Sequence, residues 1–381
     1  MAKSYDFVII GAGIVGLSVA RELNKRHPNS SIVILEKELD IGRHASGRNS
    51  GVMHSGVYYG STTLKAKVCS LGAARMRDFA DEHEISYKKV GKVIIAGSAE
   101  DLPTLDTLLT NAKNNGVKAE RLDVQGVKEI EPYASAYEAG IYCPDTAVID
   151  SKVIINKLRE ILEEQGVEFV YGAPIRTARP NQCLVETAQG KFSYEFLYNC
   201  AGAGADLIAK MFGHAGDYTL VPFKGIYYKL RVDRRHLVNG NIYPVPNVEL
   251  PFLGVHLTKA INGEVYLGPT AIPALGRENY GVFKGIKLSE SFTIGRQLIS
   301  MYKANRENFR RLAHEEMKKY YKPFFLSAAQ KLIRTLQSGD LESSNKIGIR
   351  PQLVNFKTQT LEMDYIVEKD ERTLHVLNSI S

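Results

Sequence analysis

Phe7-Val8-Ile9-Ile10-Gly11-Ala12-Gly13-Ile14-Val15-Gly16 decides how this chain begins to fold. Four consecutive apolar residues predict a short strand buried on both faces. The glycines follow the spacing G-x-G-x-x-G, and Leu17, Val19, Ala20 and Leu23 continue along one helix face. A second apolar run, Ile32-Val33-Ile34-Leu35, then ends in Glu36. Each part has a physical task in holding a dinucleotide. Gly11 makes the tight turn, Gly13 lets the backbone approach a pyrophosphate, and Gly16 lets helix pack on strand. The helix start at Ile14 and Val15 offers unpaired N–H groups and a positive dipole end. Glu36, with Lys37 beside it, faces the adenosine ribose, and an acidic residue there argues against a 2′-phosphate. A lone glycine motif is common by chance, but this order of strand, glycines, helix and acidic strand end is specific. It does not separate NAD from FAD.

Two further stretches favour FAD. The first runs from Ile41 to Gly56 and is rich in Gly, Ser and Asn, with Arg43, Arg48, His44 and His54. Such a loop wraps a phosphate and brings backbone N–H groups against a flavin, so Arg43, Ser46, Asn49, Ser50 and Gly51 are cofactor candidates. An NAD-dependent enzyme normally enters its next crossover helix at this point. The second is a strand, Phe196-Leu197-Tyr198-Asn199-Cys200, followed by Ala201-Gly202-Ala203-Gly204-Ala205-Asp206. Small residues at a parallel strand end permit close backbone approach, which nominates Ala201 and Gly202. Val170, in the apolar run Val167-Glu168-Phe169-Val170-Tyr171, is a further candidate.

The run Ala45-Ser46-Gly47-Arg48-Asn49-Ser50-Gly51-Val52-Met53-His54-Ser55-Gly56-Val57-Tyr58-Tyr59 resembles the flavin loop of the L-2-hydroxyglutarate oxidase/dehydrogenase family. Matches continue in order at Val221-Pro222-Phe223-Lys224-Gly225, Pro251-Phe252-Leu253-Gly254-Val255-His256-Leu257-Thr258, Leu267-Gly268-Pro269-Thr270-Ala271 and Gly348-Ile349-Arg350-Pro351-Gln352. The resemblance implies the D-amino-acid-oxidase-like superfamily, with FAD as cofactor. Its fold is a Rossmann-like α/β cofactor domain joined to an α+β substrate domain with a mainly antiparallel sheet. The implied division is 1–85, 150–220 and 342–381 for the cofactor, and 86–149 and 221–341 for the substrate. Lys224 and Ile226 stand where the family carries arginine and glutamate. The family's pattern also runs on beyond Ser381 by a helix on the order of 10–14 residues, so the resemblance implies a shortened C-terminus.

The implied reaction is oxidation of L-2-hydroxyglutarate to 2-oxoglutarate. The Cα hydride passes to flavin N5, and the electrons then pass to oxygen or a membrane quinone. Histidine suits the base that takes the hydroxyl proton, because it titrates near neutral pH. The resemblance points to His256 first and His54 second. A 2-hydroxy dicarboxylate also needs fixed positive charge. Arg350, which with Gly348 is placed beside the flavin, and Lys224 are the candidates, with Tyr58, Tyr59 and Thr258 as hydroxyl donors. Taken singly, such residues are more often structural or ion-paired. Other readings are the same fold acting on an amino acid or glycerol 3-phosphate, and a flavin-binding remnant without activity.

Composition bounds the rest. The 381 residues carry 44% hydrophobic and 24% charged side chains, with a net charge of +7. That length predicts two domains sharing a cleft. The basic residues are dispersed rather than clustered, so nucleic acid is not an expected partner. Cys69, Cys143, Cys183 and Cys200 are too scattered for a zinc site or disulfide framework, and no metal is expected. The start runs straight into a strand without a signal peptide, which predicts a cytoplasmic chain. Phe325, Ala328, Ala329, Leu332, Ile333 and Leu336 form one apolar helical face after a basic, aromatic start at 318–324. It reads as a core-facing helix, or as a peripheral contact with the inner face of the plasma membrane that would bring a quinone within reach. Oligomeric state is not legible.

Overall fold

In the computed structural model, which describes residues 2–246 and 252–379, two large sheets carry the architecture. The strand Lys3–Ile10 lies between Ile32–Leu35 and Lys191–Asn199, parallel to both. Glu168–Val170 and Thr373–Asn378 extend this parallel core, and antiparallel strands at one side complete eight. Alternate side chains explain the unbroken apolar runs. Ile9 and Ile34 pack under the helices Ile14–Arg26 and Ser151–Glu164, while Val8 and Val33 enter the core on the opposite face. Gly16 stands where the first helix crosses the first strand. A Cβ there would lie 2.0 Å from the Gly11 carbonyl oxygen, so the glycine permits the close packing.

The second sheet has ten strands and is mainly antiparallel. Its backbone is a long antiparallel pair, Tyr218–Leu230 with Leu341–Asn355, running from Tyr218↔Asn355 to Leu230↔Leu341 with one register shift between Ile226 and Tyr228. Lys92–Ile95 joins it in parallel with Asn241–Pro244 and antiparallel with Ala139–Cys143. The mixed α/β class agrees with the sequence reading.

Several placements differ from it. The segment 342–381 does not go wholly to the parallel sheet: Leu341–Asn355 belongs to the ten-stranded one, and only Ile366–Lys369 and Thr373–Asn378 join the other. An alternating strand carries no label for which sheet it will pair with. The stretch Lys89-Val90-Gly91-Lys92-Val93-Ile94-Ile95 is broken at Gly91, whose φ is +69°, and the strands Tyr87–Lys89 and Lys92–Ile95 on either side enter different sheets. Within the matching segment that ends at Thr258, regular strand begins only at His256. Pro251, Ile380 and Ser381 lie outside the described residues. The apolar helix ends at Gln330, yet Phe325, Ala329, Leu332, Ile333 and Leu336 are all buried in one core cluster. The turns after Gln330 thus keep the apolar side inward, as the core-facing reading requires, while Tyr320, Tyr321 and Phe324 stay exposed. Among the described residues no helix is long and apolar enough to cross a membrane.

Candidate functional site

The ends of the parallel strands open into a cavity of about 730 Å³ bounded by both sheets, in the upper part of the ~300–1,000 Å³ usual for ligand sites. Gly11, Gly13, Ile14, Val15, Glu36 and Lys37 line one end. Gly11 has φ +102°, and a Cβ on it would lie 2.6 Å from the Cys200 carbonyl oxygen; only glycine lets these two strand ends meet. The buried Glu36 carboxylate accepts from Ala12 N at 2.7 Å and Glu38 N at 2.9 Å, which fixes it at the cavity wall. Val170 does not line the cavity, but its carbonyl accepts Glu36 N at 2.9 Å and so sets that residue's place.

The loop after the second strand folds back over the helix start. Ser46 Oγ accepts Ile14 N at 2.9 Å, and Arg43, Ser46, Asn49 and Ser50 all line the cavity. The Asn49 side chain holds the loop's shape, donating to Ala45 O and Ser46 O and accepting from Gly51 N. Gly51 and Gly16 are absent from the lining and act through backbone packing; a Cβ on Gly51 would meet the Ile149 carbonyl at 2.3 Å. Across the groove, Ala201 and Gly202 line the wall, and Gly202 has φ +53° with open space at its Cβ position. A helix N-terminus, a fixed carboxylate and two glycine-opened backbones along one elongated groove fit FAD.

The other end of the cavity holds His54, Tyr58, Tyr59, His256, Gly348 and Arg350. His256 Nδ1 lies 2.9 Å from the Gly254 carbonyl, which only accepts, so Nδ1 carries the proton and Nε2 is left as an acceptor. Its ring stacks on Tyr243 at 4.0 Å, and Tyr243 meets the His54 ring edge-on at 6.1 Å. Burial lowers the pKa of His256 to about 4 and that of His54 to about 3, with the Lys92 and Arg350 charges acting in the same direction. Both imidazoles are therefore neutral at physiological pH. Arg350 projects from the long strand Leu341–Asn355, with its guanidinium 5.7 Å from the Phe252 ring centre.

Two expected substrate contacts lie elsewhere. Lys224 does not line the cavity; its ammonium donates to Asn279 Oδ1 at 3.0 Å and Gly281 O at 2.7 Å. Thr258 is buried two residues beyond His256 and also stays off the wall.

Lys224 instead fastens a strap that sequence reasoning missed. Arg277, Glu278 and Tyr280 cross from the ten-stranded sheet to the end of the groove lined by Glu36 and Lys37, and line it. Arg277 donates to Ala203 O at 2.6 Å and forms a buried ion pair with Asp206. Glu278 pairs with Lys37, and the Tyr280 hydroxyl lies 2.8 Å from His44 Nδ1. The Arg48 guanidinium stacks 4.2 Å from the Tyr280 ring centre. Glu38, His44 and Glu278 bring donor atoms within 4.8 Å of one another, with Lys37 supplying the positive charge. An irregular segment closed by side chains from 55 to 241 residues away in sequence gives no periodic signal.

The FAD dependent oxidoreductase family matches residues 6–370. A protein named L-2-hydroxyglutarate dehydrogenase from Indibacter alkaliphilus is 34% identical over 384 residues, covering 99% of this chain and 94% of that protein. One of the same name from Escherichia coli is 33% identical, covering 99% and 89% respectively. The human mitochondrial L-2-hydroxyglutarate dehydrogenase is 39% identical over 296 residues, which is 74% of this chain and 64% of that one. Among solved structures, dithionite-reduced L-α-glycerophosphate oxidase from Mycoplasma pneumoniae with FAD bound aligns with a TM-score of 0.77. It is 19% identical, over 98% of this chain and 89% of that one, and the likeness speaks to fold alone.

Proposed function

The chain belongs to the FAD dependent oxidoreductase family, and from that premise we propose that it oxidises L-2-hydroxyglutarate to 2-oxoglutarate. The observation that carries this reading is the pairing, at one end of the groove, of an oriented neutral imidazole with a guanidinium. The names of the relatives support the choice of acid.

FAD bound in the groove supplies the acceptor for the Cα hydride. Arg350 grips a substrate carboxylate with two parallel hydrogen bonds, which fixes the carbon to be oxidised. His256 Nε2 takes the hydroxyl proton as the C–O bond gains double-bond character. Two electrons leave with the hydride and the proton rests on His256, so the product is the neutral ketone of the 2-oxo acid. His54 stands by as a second acceptor, and Tyr58 and Tyr59 shape the wall around the substrate. FAD held by the groove would make the two electrons available to oxygen or to a membrane quinone. Exposed Phe283, Leu288 and Phe292 beside Lys284 and Lys287 support a peripheral membrane contact for the second route.

The test is the visible spectrum of the purified yellow protein without oxygen. L-2-hydroxyglutarate should bleach it and the D-enantiomer should not; persistent colour would send the substrate assignment to amino acids or glycerol 3-phosphate. Oxygen, or anionic vesicles carrying a quinone, added to the bleached protein then identifies the acceptor by which one restores the colour faster.

The strap has its own expected outcome. Tyr280→Ala removes a hydrogen bond and a cation–π contact, together on the order of 1–2 kcal/mol. FAD release should be about tenfold faster, read as flavin fluorescence appearing after dilution. Release at the parent rate would mean that the strap does not retain the cofactor.

A further inference from the structure

One ionisable side chain near the site has been given no part in binding or in proton transfer. Lys92 is fully buried, and its Nζ has no hydrogen-bond partner among the described residues. It lies on Lys92–Ile95, in register opposite Cys143, in the sheet behind the cavity. Its nearest compensation is aromatic. Nζ sits 4.3 Å from the centre of the Tyr58 ring and 5.5 Å from that of Tyr243. Tyr58 lines the cavity, and Tyr243 carries the His256 ring on its face and the His54 ring against its edge. Lys92 and both imidazoles thus share Tyr243 as a neighbour, His256 on its face and His54 at its edge.

A methionine would fill that space without a polar head, whereas a buried unpaired amine or ammonium is costly to desolvate. A group that weakens the core while standing beside the reacting end has the marks of a functional residue. We propose that Lys92 is a positioning residue for the hydroxyl base: an ammonium, held by the faces of Tyr58 and Tyr243, that keeps His54 and His256 uncharged and ready to accept a proton. This rests on reading the cavity as a hydroxy-acid oxidation site.

The surroundings favour such a role. From the long strand Leu341–Asn355, Arg350 acts on both histidines with the same sign as Lys92. From helix Leu64–Glu82, Cys69 and Lys65 face the same region, and Cys143 faces Lys92 from its partner strand. The rest of the shell is phenolic: Tyr58, Tyr59, Tyr227 and Tyr243. Burial pushes the Lys92 proton off, and the two ring faces oppose it. None of the groups acting on either histidine's charge is a carboxylate, so removing one cation leaves a less positive field there.

The test uses the FAD-loaded parent, Lys92→Met and Lys92→Gln. Anaerobic flavin reduction by L-2-hydroxyglutarate is followed against pH, and thermal unfolding is followed in parallel. Loss of the ammonium should let the imidazoles hold protons more tightly. The acid limb of the rate should then move up by about one pH unit in both variants, while the unfolding midpoint of Lys92→Met holds or rises. An acid limb that stays in place overturns the inference, whatever the midpoint does. Failure of both variants to fold also overturns it, since Lys92 would then be needed for the core. A parent whose flavin this acid does not reduce would sink the proposed function and this inference together. A parent that is reduced normally, with variants whose acid limb is unmoved, sinks the inference alone.

Discussion

Replacing His256 with alanine is expected to slow anaerobic flavin reduction by L-2-hydroxyglutarate about 10²–10⁴-fold, while the visible absorbance of bound FAD is retained. The two outcomes separate because His256 stands at the end of the cavity away from Glu36 and the helix start. The Gly254 carbonyl fixes the ring's tautomer and the Tyr243 face fixes its plane, so the acceptor nitrogen is oriented before substrate arrives. The pH dependence follows from the same burial. With the pKa of His256 lowered to about 4, the proton-accepting form is present throughout the neutral range and is lost only as pH falls through that value. Stability has the same sign. The unfolded imidazole takes up a proton near 6.5 and the folded one resists it, so the contribution is complete above 6.5 and disappears as pH falls towards 4. Stopped-flow reduction of His256→Ala checks the rate. Reduction at the parent rate would transfer the base to His54 or dispense with a side-chain base.

The parts legible in the sequence are those whose physics is local. Ile9 and Val8 announce a strand covered on both faces because an apolar run without alternation has no solvent side. Gly11 and Gly16 announce close approach because their spacing joins that run to a helical period. His256 and Arg350 are different. Nothing in alternation or composition selects them; the resemblance did, through the segments around Gly254 and Gly348. Contacts made through tertiary folding were not legible. Lys224 looked available for a substrate carboxylate, yet its ammonium is taken by Asn279 and Gly281, which no strand pattern foretells. Tyr280 meets His44 across 236 residues. Lys92 opens the apolar run Val93-Ile94-Ile95, and its burial follows from a strand paired on both sides, which no local pattern foretells. The membership of Leu341–Asn355 in the ten-stranded sheet was hidden for the same reason.

Arg350→Met is expected to raise the KM for L-2-hydroxyglutarate about 10²–10³-fold, because removing one partner of a desolvated charge pair costs roughly 2–5 kcal/mol. The size follows from position. Arg350 lies in register opposite Phe223, on a strand anchored along almost its whole length, and its guanidinium is brought to the cavity wall beside Tyr59, Tyr227 and Phe252. A carboxylate entering that wall loses water, and only a cation already in place offsets the loss. Arg350→Lys should recover part of the affinity, since an ammonium restores the charge but not the two parallel bonds. A second readout tests the electrostatics. Arg350 pushes the pKa of both His54 and His256 down, so its loss should also move the acid limb of flavin reduction to higher pH, the direction expected on loss of Lys92. A KM within threefold of the parent would place the carboxylate elsewhere. A raised KM with an unmoved acid limb would keep Arg350 as the carboxylate clamp and leave the histidines governed by burial alone.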